Sequence, residues 1–128
     1  MKNSAILKKL LVTASVFVIF WIGLLIFSFS SPVVFLHYSA TASEPVDYFF
    51  NDNHDIVKDR IHPGASLEFR IPHNPSSDYY INVSIPSASR DGVDVKPPFS
   101  RVDVYIGADT SIERVVIRTD YMARVGYK

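Results

Sequence analysis

The 128-residue chain contains no cysteine. That excludes disulfides, zinc–thiolate sites, a cupredoxin-like copper centre and a lipid-modified cysteine after a signal. A small domain outside the cytoplasm then has only packing to hold it together. An excess of charge is also missing, since 13 Lys/Arg balance 13 Asp/Glu. A nucleic-acid binder would carry a basic patch, so no nucleic-acid partner is expected. HExxH, GxSxG, the P-loop and GxGxxG are all absent, and with them the common sequence marks of metalloproteases, hydrolases and nucleotide binders.

What is present first is a long apolar run. Residues 10–29, LLVTASVFVIFWIGLLIFSF, carry no charge. Twenty residues of helix at 1.5 Å each reach about 30 Å, the thickness of a bilayer core. A cleavable signal has a shorter apolar region, with a small-x-small site just after it. The nearest such triplet, Ala40-Thr41-Ala42, lies well beyond Phe29. The run therefore reads as a retained signal anchor.

Lys2, Lys8 and Lys9 precede it without an acid, and the first base after it is Lys58. The positive-inside rule then places residues 1–9 in the cytoplasm and residues 33–128 outside it, with 30–32 as linker. The expected location is the plasma membrane, with a periplasmic domain if the cell is Gram-negative. Within the span, Ser15, Ile19 and Gly23 share a helix face, but there is no GxxxG, and a plain anchor is the expectation.

From residue 30 onward, 13 acids face 10 Lys/Arg, a net of −3. Several segments here alternate with period two and are rich in β-branched residues. In SLEFRIP, Leu67, Phe69 and Ile71 share one side. In YYINVSI, it is Tyr79, Ile81, Val83 and Ile85; in RVDVYI, Val102, Val104 and Ile106; in RVVIRT, Val115 and Ile117. Weaker candidate strands are 33–40, 47–50, 55–61 and 93–95, with Val33, Phe35, Phe49, Ile56 and Ile61 as their expected core contributors. Turn signals fall between them, at His62-Pro63-Gly64, 72–77, Asp91-Gly92, Pro97-Pro98 and 107–110. The expected fold is mainly β: one transmembrane helix, then a small antiparallel β-sandwich, Ig-like in the loose sense. The Cys…Trp…Cys signature of true immunoglobulin domains is absent.

Chemistry is harder to find. His37, His54, His62 and His73 form no short ligating pair, so no metal site is expected. NDNHDI, residues 51–56, begins like a calcium loop, but Ile56 stands where the turn glycine belongs and His62 where the bidentate Glu belongs. It reads as an acidic turn. Asn82-Val83-Ser84 matches a glycosylation sequon placed mid-strand. No catalytic residue, cofactor or small-molecule substrate is identified, and the chain is expected not to be an enzyme.

What remains is surface. Tyr80, Tyr105, Arg70, Arg101 and Arg118 fall on outward strand positions, and Tyr and Arg are enriched at binding hot spots. Asp103 also faces outward, where replacement by Ser should cost little. The connection 87–100 presents Pro97-Pro98-Phe99 as a stiff apolar tip. Tyr80, Phe99, Arg101 and Tyr105 are the candidate partner-binding residues. The expectation is a membrane-anchored module that binds a protein outside the cytoplasm. The alternative is an accessory subunit of an envelope complex, held by its helix. This layout is similar to that of many bacterial envelope proteins, among them immunity proteins and small subunits of envelope assemblies; the likeness is one of layout alone.

Overall fold

The computed structural model of the chain describes residues 2–120 and 124. It divides into two compact units, Met1–Ser30 and Ser31–Lys128. The first is a single helix, α1 (Lys2–Phe29), long and apolar enough to cross a membrane. Its large apolar side chains, among them Leu10, Phe17, Ile19 and Phe27, are exposed at every position whose side chain is described, a surface that water disfavours and hydrocarbon accepts. The helix begins earlier than residue 10, taking in the lysine-bearing lead. Lysine is a good helix former, and a nucleated helix extends at little cost. Pro32, three residues beyond its last turn, cannot continue it.

The second unit is built from eight strands among the described residues. They are β1 (Val33–Tyr38), β2 (Val46–Asn51), β3 (Ile56–Ile61), β4 (Ser66–Arg70), β5 (Ile81–Ile85), β6 (Asp91–Val95), β7 (Arg101–Ile106) and β8 (Ile112–Arg118). They form two four-stranded sheets, ordered β4-β1-β7-β8 and β3-β2-β5-β6. All pairings are antiparallel except one: β1 runs parallel to β7, with Val34 opposite Val102 and Leu36 opposite Val104. The chain crosses from the second sheet to the first at His62-Pro63-Gly64, where Gly64 takes φ 77°, a conformation that costs glycine nothing.

The two sheets close on one core. Val34, Leu36, Val102, Val104 and Ile106 from the first meet Tyr48, Phe50, Ile81, Val83 and Ile85 from the second. Phe69 of β4 stacks on Phe50 of β2 at 4.0 Å between ring centres, joining the sheets. The fold is thus a helix followed by a β-sandwich.

Three expected features are corrected. In β1 and β2 the side chains that enter the core are Val34, Leu36 and Tyr38, and Val46, Tyr48 and Phe50. Phe35 and Phe49 lie on the opposite faces, and Ile56 is 62% exposed. Both strands are apolar on both sides, so their composition does not set the phase. Secondly, the connection 87–100 is not a long free loop, because β6 occupies its middle. Thirdly, Phe99 is no tip: it is 6% exposed and belongs to the core.

Candidate functional site

The outer face of the β4-β1-β7-β8 sheet holds the densest array of polar and aromatic side chains. Cross-strand register arranges it in three rows. Arg70, Val33, Arg101 and Arg118 form the first; Glu68, Phe35, Asp103 and Val116 the second; Ser66, His37, Tyr105 and Arg114 the third. Period two puts alternate residues of each strand on this face, and the register puts the strands side by side.

Asp103 lies at its centre and is 1% exposed. Arg101 forks onto it, Nε to Oδ2 and Nη2 to Oδ1, both at 2.8 Å. His37 Nε2 meets Oδ1 at 2.8 Å, and its Nδ1 meets the Ser66 hydroxyl at 2.8 Å. A carboxylate only accepts, so the Nε2–H of His37 donates to Asp103. In the neutral imidazole Nδ1 is then the acceptor, and Ser66 donates to it. Burial by itself would raise the Asp103 carboxyl, but the hydrogen bonds from Arg101 and His37 and the charge of Arg101 outweigh it and hold it below its ordinary range. The same hydrogen bonds, donated by Arg101 and accepted by Asp103, raise Arg101.

Rings cover this network. Arg101 lies over the Phe35 ring at 4.5 Å. Phe35 stacks on His37 at 5.8 Å, and His37 on Tyr105 at 4.7 Å. Arg114 caps Tyr105 from the far side at 4.2 Å. The result is a continuous ladder, Arg101–Phe35–His37–Tyr105–Arg114, of three stacked rings with a guanidinium at each end. Glu68 and Arg70 close the β4 side with a 2.7 Å ion pair.

Ser66, His37 and Asp103 stand in the hydroxyl–imidazole–carboxylate order of a nucleophilic relay. Two features separate them from one. Arg101 already neutralises the carboxylate that would have to stabilise an imidazolium. Ser66 is exposed on an extended strand, not on a sharp turn beneath converging N–H donors. The network holds the rings in fixed positions.

Of the four residues expected to bind a partner, this face brings together Arg101 and Tyr105. Arg101 is a buried-side anchor more than a free tip, its side chain 13% exposed. Tyr80 is half-buried just before β5, in the other sheet, and Phe99 is in the core. Phe35, His37 and Asp103 were missed as partners in the site. Their signal was present as F-x-H in β1 and R-x-D-x-Y in β7, each set on one face of its strand.

The other outer face is plainer. Arg60 pairs with Asp47 at 2.8 Å, Asn82 with Asp94 at 2.7 Å, and Lys58 lies over Phe49. In the acidic turn 52–55, Asp52 accepts from the N–H groups of His54 and Asp55, and Asn53 takes φ 69°. Its oxygen is thus engaged in shaping the β2–β3 hairpin. The chain matches no protein-family model, no curated protein and no solved structure.

Proposed function

We propose that this is a single-pass membrane protein whose β-domain binds a protein partner outside the cytoplasm, without chemistry of its own. The carrying observation is the Arg101–Phe35–His37–Tyr105–Arg114 ladder. Rigid aromatic and arginine side chains are the usual energetic anchors of interfaces. Here their rotamers are fixed before binding, so less conformational entropy is lost when a partner docks. A module of this kind acts by occupying its partner, as an inhibitor or immunity protein does.

The helix serves as the tether. Lys2, Lys8 and Lys9 favour a cytoplasmic N-terminus in the plasma membrane. Thr13 and Ser15 donate their hydroxyls to the carbonyls of Lys9 and Leu11, one turn back in the same helix. With both hydroxyls closed on their own backbone, a plain tether needs no neighbouring helix to satisfy them.

The test is photo-cross-linking in intact membranes from positions 105 and 114, with positions 49 and 82 on the opposite face as controls. One protein captured from 105 and 114 and not from 49 or 82 is the expected result. Capture only from positions in the helix would replace the module by the subunit. A reporter active only outside the cytoplasm, fused after Lys128, should work; activity of a cytoplasmic reporter there would reverse the orientation.

A further inference from the structure

We infer that the partner meets this face with carboxylates, as an acidic segment of a protein; the inference rests on the binding role proposed above and specifies its chemistry. The face carries Arg70, Arg101, Arg114 and Arg118 against Glu68 and Asp103, a net of +2. The remainder of residues 30–128 holds 6 Lys/Arg and 11 Asp/Glu, a net of −5. The face is thus net basic while the rest of the domain is net acidic, which favours the approach of an acidic body to this side.

The distribution within the face sharpens this. Arg101 spends its fork on Asp103, and Arg70 is paired with Glu68. Arg114 and Arg118 have no acidic partner among the described residues. Both lie on β8, at the edge of the sheet, on the same side of the strand, about 13 Å apart at the rise of an extended chain. Val116 lies between them, half-buried. Arg114 is already oriented by its stacking on Tyr105. Guanidinium groups bind carboxylates in a planar fork. Two of them flanking an apolar residue, beside a tyrosine, fit a segment with acids spaced by about four extended residues and an apolar residue between.

The test uses the full chain in nanodiscs of phosphatidylcholine, with three fluorescent ten-residue peptides: all-glutamate, all-glutamine and all-lysine. Binding of the glutamate peptide alone, weakened by salt and reduced by about tenfold or more in Arg114→Glu/Arg118→Glu, is the expected result. Arg114→Gln/Arg118→Gln should fall between. All these positions lie outside the core, and an unchanged melting temperature confirms that the variants fold. Glutamate binding that ignores the substitutions overturns the inference. So does stronger binding of the face to vesicles containing phosphatidylglycerol than to the glutamate peptide, which would assign the arginines to lipid phosphate. The two readings fail separately. A partner cross-linked from position 105 whose binding is indifferent to both charge reversals leaves the module standing and removes the acidic segment; no cross-linked partner at all removes the module.

Discussion

His37 Nε2 reaches Asp103 Oδ1 across 2.8 Å, and so ties β1 to β7 on the outer face of the sheet. The same carboxylate holds Arg101 by two further bonds. One buried acid therefore fixes both Arg101 and the imidazole of the ladder.

Removal of that acid is the first prediction. Asp103→Ala leaves Arg101, largely buried, without its counter-charge, and should destabilise the domain by about 3 kcal/mol. Asp103→Ser should cost nearly as much. Urea denaturation monitored by circular dichroism reads both. A loss within a few tenths of a kcal/mol would mean that water replaces Asp103 without penalty.

Acid should have a related effect. The Asp103 carboxyl is lowered in the folded state from an ordinary 3.8. A depressed carboxylate stabilises the fold fully above its unfolded value, and that contribution is lost as pH falls through the folded value. Asp103 should thus lend stability at neutral pH and withdraw it below about pH 4. Unfolding midpoints compared from about pH 6 to about pH 2 should fall less steeply in Asp103→Asn than in the parent. Parallel curves would show that another acid governs the limb.

Phe99 now belongs to stability. Its truncation to Ala should cost about 3 kcal/mol by leaving a cavity in the core. Tyr105→Ala, on the outer face, should cost less than half as much and weaken partner binding by about 1–3 kcal/mol. Thermal melts of the two variants side by side decide between core and surface for each.

Tyr79 offers the opposite sign. Its ring is buried in the core, and its hydroxyl has no hydrogen-bond partner among the described residues. Burial pushes the phenol up to about 12. An unmade buried hydrogen bond carries a desolvation cost, so Tyr79→Phe should be neutral or raise stability by about 1 kcal/mol. A clear loss of stability would reveal a water bound to the hydroxyl.

The strictly alternating strands were legible because each has one apolar and one polar side. Val102, Val104 and Ile106, or Ile81, Val83 and Ile85, enter the core as period two requires. β1 and β2 were placed but turned over. In VVFLHY and VDYFFN both sides carry apolar residues, since Phe35 and Phe49 are covered by Arg101 and Lys58 on the outer faces. Alternation has no contrast to report there. At β8 the reading was half right: Val115 packs against the core, while Ile117, on the same side of the strand, stays exposed at the sheet edge.

The site was less legible than the fold. Outward was read as wet, yet Asp103 faces outward and is sealed beneath other side chains. Arg101 and Tyr105 stand out in the sequence by residue type and outward strand position. What joins them to His37 and Ser66 is the register of β1 against β7 and β4, between segments far apart in the chain. Nothing local to any of the segments encodes that pairing.

The parallel pairing of β1 with β7 also sets an order of events. β1 is the first strand made, yet it lies at the centre of its sheet, and one of its two neighbours is the seventh. Closing so distant a contact is slow compared with forming the hairpins that intervene. During synthesis Val34 and Leu36 thus stay exposed while β2 to β6 are still being made. Their burial is complete only after Val102 and Val104 arrive. Any truncation before β7 leaves this central strand with an open edge, and that edge can pair with another chain.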